Sequence, residues 1–178
     1  MTDRRMSQNL DYRMRTAVSG LALTAALLAT TGPAWVVVAD HPRISWNLWA
    51  VAAGRPSNGQ PPVDSTQSWG RAMLGVLLLT ALLALVTAAE ATFAWAVATG
   101  VAAAAAFALE IGFHYGARYN VYGNSYMYAI NGAGAKVVLL MTGLLVVWAI
   151  VIAGFARSSP TAPVAVQQGP ANLDELSL

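Results

Sequence analysis

Residues 71–116 run for 46 positions, from "RAMLGVLLL" to "EIGFHYG", with no Gly-Pro or Asn-Gly turn between them. At about 1.5 Å per helical residue, such a stretch is roughly twice the hydrocarbon thickness of a bilayer. It has to fold back, and Glu90, the one charge at the junction of its two apolar halves, marks the natural turn. The halves, about 71–89 and 91–116, are each long enough to cross a membrane as a helix. A tight antiparallel helix pair is expected, with Glu90 placed to cap the second helix at its positive N-terminal end.

Two further runs pass the same length test of roughly 20 apolar residues. The first, about 16–39, carries no charge and holds Gly32-Pro33 two-thirds of the way along. Pro33 has no N–H to donate to the carbonyl of Ala29, which predicts a kink or loosened turn. The other, about 136–156, reads "KVVLLMTGLLVVWAIVIAGFA" and is followed by Arg157. The chain is 57% hydrophobic and 10% charged, against about 25% charged in a soluble domain. The expected fold is therefore an all-α integral membrane protein, a bundle of four transmembrane helices in which helices two and three form a hairpin. Residues 1–15 are an N-terminal arm, 16–157 the membrane domain and 158–178 a disordered tail rich in Pro and Gln. The N-terminal arginines, the first apolar run and "VVA" before Asp40 also fit a cleaved signal peptide. A 24-residue apolar run, however, exceeds the about 7–15 residues of a signal core.

Two polar loops, 40–70 and 117–135, fall by parity on one side of the membrane, and both termini on the other. The string "GRPSNGQPPVDSTQS" in the first loop reads as irregular coil. Basic residues divide evenly, with 4, 5, 13, 15 and 157 on the terminal side and 43, 55, 71, 118 and 136 on the loop side. The first helix usually dominates orientation, and its preceding arginines put both termini in the cytoplasm of a multi-pass plasma-membrane protein.

Several function classes drop out. Scattered basic residues and a formal charge of +2 leave no nucleic-acid footprint. The absence of cysteine removes disulfides, thiolate metal sites and thiol catalysis. There is no phosphate loop, dinucleotide fingerprint or zinc-helix motif, no ionisable group at mid-membrane depth and no inverted repeat. No cofactor is predicted from motifs.

Three constellations remain. Thr92, Ala96, Gly100, Ala104, Ala108, Gly112 and Gly116 recur at every fourth position. Small residues at this spacing let helix backbones approach closely, so they form a seam for a neighbouring helix of this chain or another; the alternative is a chance product of alanine richness. Trp46, Trp49 and Trp69 in one loop, with Tyr115, Tyr119, Tyr122 and Tyr126 near the other, read as an interfacial aromatic belt or as a lipid- or partner-binding surface. Glu110, His114 and Arg118 stand at i, i+4 and i+8, a spacing that suits an ion-pair ladder at a helix exit. A carboxylate and an imidazole on one face are also half of a transition-metal site, which Asp40 and His41 at the start of the other loop can complete.

A four-helix plan whose larger first outer loop begins "SWNLW" looks like claudin-type proteins in topology, without the cysteine pair of that loop. The segment "ALEIGFHYGARYNVYGNSYMYAIN", with "WNLW", is similar to the aromatic, glycine-containing segment of membrane-bound copper monooxygenases of the methane and ammonia type. That resemblance adds to the metal reading of Glu110 and His114, with copper among the metals it suggests. The residues themselves point first to a small non-catalytic accessory subunit or interaction protein, in contact with the bilayer and with other membrane chains or itself. A subunit of a metal-dependent oxidoreductase and a homo-oligomeric channel or small-solute transporter are the alternatives.

Overall fold

The computed structural model describes residues 2–38, 41–56, 64–116 and 129–158. The chain is mostly helical. In order it forms α1 (Thr2–Ala29), β1 (Ala34–Val38), β2 (His41–Asn47), α2 (Leu48–Ala53), α3 (Asp64–Glu90), α4 (Phe93–Gly116), β3 (Ala129–Asn131) and α5 (Ala133–Ser158). Three stretches within these helices are long and apolar enough to cross a membrane: Thr66–Glu90, Phe93–Phe113 and Ala133–Arg157.

The first apolar run departs from the expected single helix over 16–39. The helix starts earlier, at Thr2, and stops at Ala29. Pro33 accompanies an ending, not a kink. The Thr30 and Thr31 hydroxyls donate to the carbonyls of Leu27 and Leu28 at 2.6 and 2.7 Å, satisfying acceptors that a helix end leaves open. Beyond Pro33 the run "AWVVV" becomes β1, where β-branched side chains fit an extended backbone better than a helix.

β1 is the centre of a three-stranded antiparallel sheet of order β2-β1-β3. Val36 lies opposite Trp46 on one side and Asn131 on the other. The wholly α fold and the coil expected over 40–70 and 117–135 are thus amended by β2, α2, the first turns of α3, and β3. The sheet is small because each partner strand is only the approach to a helix: β2 leads into α2, and β3 into α5. α2 is closed at both ends. The side chain of Asn47 accepts from the Ala50 N–H at 2.8 Å, and Gly54 takes the left-handed conformation (φ 67°) that a non-glycine residue adopts only at a cost.

α3 and α4 are joined by Ala91 and Thr92 alone. The Ala91 N–H donates to the Thr87 carbonyl at 2.8 Å, with φ 51° at Ala91. Buried Thr87 and Thr99 share a hydroxyl–hydroxyl hydrogen bond of 2.8 Å, tying the two helices together just beyond the connection. α1 lies against α3 and α5. At Gly20 an added Cβ would come within 2.6 Å of Ala88 Cβ and 3.0 Å of the Trp148 ring, so only glycine permits this approach. The Trp148 indole donates to Ser19 Oγ at 2.9 Å at the same crossing.

The core has two parts. One runs through the bundle and contains Leu27, Trp35, Met73, Leu77, Ala103, Val138 and Leu145. The other joins the sheet and α2 to the helix ends through Val36, Trp46, Val51 and Phe113. The sheet and α2 therefore cap the end of the bundle where α3 and α5 begin and α4 finishes. At the opposite end lie the α3–α4 connection and Arg157, whose guanidinium stands 5.9 Å from the Phe93 ring centroid.

Candidate functional site

Glu110 is the one candidate ligand whose side chain is described, and it is fully buried at 0% exposure. Helical spacing dictates this. Phe113 lies one turn further along the same face, and that face turns inward to meet Trp69 of α3, whose ring stacks on Phe113. Among the described residues, both carboxylate oxygens of Glu110 lack a hydrogen-bond partner. The Trp69 indole N–H, on the ring stacked against Phe113, is also buried without a partner. An unpartnered acceptor group thus lies one turn below an aromatic stack that carries an unpartnered donor. Leaving such groups unpaired costs about 1–3 kcal/mol each.

No member of the expected ion-pair ladder meets Glu110 among the described residues. The backbone of His114 continues α4 and that of His41 opens β2, but their side chains lie outside the described residues, as do Asp40 and Arg118 entirely. Among the described residues no group of three or more His, Asp or Glu side chains converges as a metal site. The buried carboxylate of Glu110 fits the chemistry of one ligand; the described residues supply no second.

The aromatic belt resolves differently from expectation. Trp46 is 2% exposed and belongs to the capping core, and Trp69 is half-buried against Trp35 and Phe113. Both rings are recruited by β1 and α2 folding over the helix ends, so they pack rather than sit among headgroups. Trp49 alone of the three is outward, at 49% exposure, and its indole donates to Thr31 Oγ1 at 3.0 Å. The side chain of Tyr115, and Tyr119, Tyr122 and Tyr126 entirely, lie outside the described residues.

The small-residue stripe on α4 divides along its length. Ala96 is buried, and an added Cβ at Gly100 would stand 3.3 Å from Ala149 of α5. Ala104, Ala108 and Gly112 face outward, and a Cβ at Gly112 would meet nothing within 4 Å. Gly116 closes α4, with its surroundings outside the described residues. α4 packs against α3 and α5.

A second stripe went unnoticed in the sequence. Thr16, Gly20 and Thr24 of α1 are all buried at four-residue spacing, and here the seam is fully used inside the chain. The signal was the same small-residue repeat, hidden by the greater length of the one on α4.

No protein family matches the chain, and no curated protein or solved structure matches it.

Proposed function

We propose that the protein is a multi-pass membrane protein acting as a small non-catalytic subunit or interaction protein of a membrane complex, and that it docks other chains along the outward face of α4. One observation carries this: the small-residue stripe is filled by α5 at Gly100 and left open at Ala104, Ala108 and Gly112. In lipid, where apolar surfaces gain little by meeting one another, close backbone approach over small residues is the main source of helix association. The outward leucines of α3, Leu78, Leu79, Leu82 and Leu85, suit contact with acyl chains and offer no such approach.

In this arrangement α1 is a fourth crossing and α3–α4 a tight hairpin. Support comes from contacts of α1 along α5. Tyr12 meets Phe155 at 5.4 Å between ring centroids, Ser19 bonds Trp148, and Leu27 shares a core with Ala135 and Val138. The uncharged part of α1, residues 16–29, is about 20 Å of helix, shorter than the roughly 30 Å of a bilayer's hydrocarbon, so the crossing also needs Arg13 and Arg15 to extend their heads to the interface. Both termini then share the cytoplasmic face with Glu90. The cysteine-free chain allows a direct test: single cysteines at residues 13 and 90 should label from the same side.

The functional test is purification from native membranes in mild detergent. A defined partner chain should accompany the wild type and Gly100→Ala, and be lost from Gly112→Leu without change in melting temperature. Retention of the partner by Gly112→Leu rules out this face. The chain alone, in a single oligomeric size, points to a homo-oligomeric channel.

A second reading is favoured by the orphaned Glu110 carboxylate: a subunit of a metal-dependent, copper-type oxidoreductase in which Glu110 is a ligand together with His114, His41 and Asp40. Stoichiometric copper that is lost from Glu110→Gln supports it, and metal-free purified complex removes it.

A further inference from the structure

α4 and α5 leave a groove of about 220 Å³ between them on the outer surface, lined at its floor by Gly100 and Ala149, where an added Cβ on Gly100 would stand 3.3 Å from Ala149. Its walls are apolar, Val97 and Val101 on α4, Val146, Ile150 and Ala153 on α5. Val101 and Ile150 are 66% and 65% exposed, so the groove opens outward along its length. It is smaller than the roughly 300–1,000 Å³ of a small-molecule pocket, and no polar group within it can orient a polar ligand. A chain of methylenes is what such a trough accommodates.

The mouth supplies the second half of a site. Arg157, Ala153, Ile150 and Val146 follow one another at intervals of four, three and four residues, a single helical stripe. The stripe therefore leads from the groove to a guanidinium at its outer end, held 5.9 Å from the Phe93 ring centroid. Arg157 is exposed, and among the described residues no carboxylate pairs with it. Of the described acids at that end, Glu90 accepts from the Trp95 indole at 2.6 Å and Asp11 pairs with Arg15 at 2.8 Å.

We propose that this groove binds a phospholipid with an anionic headgroup, its phosphate paired with Arg157 and one acyl chain lying along Ala153, Ile150 and Val146. The site rests on α4 and α5 crossing the bilayer, as proposed above. Charge complementarity selects the occupant: a cation at headgroup level attracts acidic lipid, and the apolar trough directly inward of it receives the chain. A partner helix would satisfy the trough and leave Arg157 without a counterpart.

The test is native mass spectrometry of the full chain in mild detergent, titrated with dioleoylphosphatidylglycerol or dioleoylphosphatidylcholine. The wild type should retain one phosphatidylglycerol about fivefold more strongly than phosphatidylcholine. Arg157→Gln should lose that preference and bind the two lipids alike. Ala153→Phe, which fills the trough and leaves Arg157 in place, should weaken retention of both. Unchanged preference in Arg157→Gln, or unchanged retention in Ala153→Phe, overturns the proposal. So does loss of a co-purifying partner chain from Ala153→Phe with no lipid retained by the wild type. Alkaline carbonate extraction separates the two levels of failure. Wild-type chain released into the supernatant refutes the membrane crossing itself, whereas chain kept in the membrane without lipid preference refutes only the lipid site.

Discussion

Trp69 and Phe113 stack at 3.5 Å between ring centroids with 19° between their planes, joining the first turns of α3 to the last of α4. The same Trp69 ring lies tilted against Trp35, 6.0 Å away, so one side chain couples two helices to the sheet that caps them. Aromatic pairs of this kind add about 0.5–1.5 kcal/mol beyond the area they bury.

Trp69→Ala should therefore destabilise the protein by about 3 kcal/mol. Trp69→Phe keeps a ring on Phe113 and discards the buried indole N–H that has no partner. It should cost less than about 1.5 kcal/mol, as a swap that largely conserves shape. Thermal melting in detergent, followed by circular dichroism, separates the two. Equal losses in both variants would mean that the indole N–H, not the stack, holds the cap.

Glu110 calls for the opposite outcome. Its carboxylate is fully buried and, among the described residues, unpartnered, a burden that an apolar side chain of similar length does not carry. Glu110→Met should raise stability by about 1–3 kcal/mol. The same variant measured within the isolated complex tells whether that burden serves assembly or ligand binding. A fall in stability of the chain alone would reveal a bonding partner for the carboxylate.

How much of this was legible beforehand follows from what is local. The three stretches long and apolar enough to cross a membrane are visible because length and hydropathy belong to each segment alone. The end of α1 was not, since "AWVVV" is apolar in either conformation and a run this short has no usable period. Its strand partner, β3, lies some ninety residues later. Trp46 and Trp69 looked like headgroup anchors because composition cannot say whether an aromatic residue near a helix end faces lipid or a cap folded over it. Glu110 was visible as a candidate, but its full burial was not: spacing placed it at a helix exit, and only tertiary packing at Phe113 turns that face into the core.

Gly20 and Gly112 make a matched pair for testing the two small-residue stripes. A Cβ at Gly20 meets Ala88 at 2.6 Å and the Trp148 ring at 3.0 Å, whereas one at Gly112 meets nothing. Gly20→Ala should cost about 1–3 kcal/mol through overpacking and weaken the Trp148–Ser19 hydrogen bond, seen as a red-shifted tryptophan emission. Gly112→Ala should not lower the melting temperature of the isolated chain and should stabilise it by up to about 1 kcal/mol through helix propensity. If Gly112→Ala destabilises the isolated chain, its face is covered from within, and the outward seam is lost as a docking surface.

Ala91 carries the sharpest local strain in the α3–α4 connection. Its φ of 51° lies in the left-handed region, which costs an L-residue with a Cβ roughly 1–2 kcal/mol. The position is forced because only Ala91 and Thr92 separate two helices bound to each other by Thr87 and Thr99. Glycine removes the Cβ clash and gives back part of the gain through greater freedom of the unfolded chain. Ala91→Gly should therefore stabilise the protein by about 0.5–1 kcal/mol, with Ala91→Val losing at least as much. Melting temperatures of the two variants should fall on opposite sides of the wild type. If glycine instead destabilises, the connection does not hold its left-handed turn in the membrane, and the tight hairpin proposed for α3 and α4 fails with it.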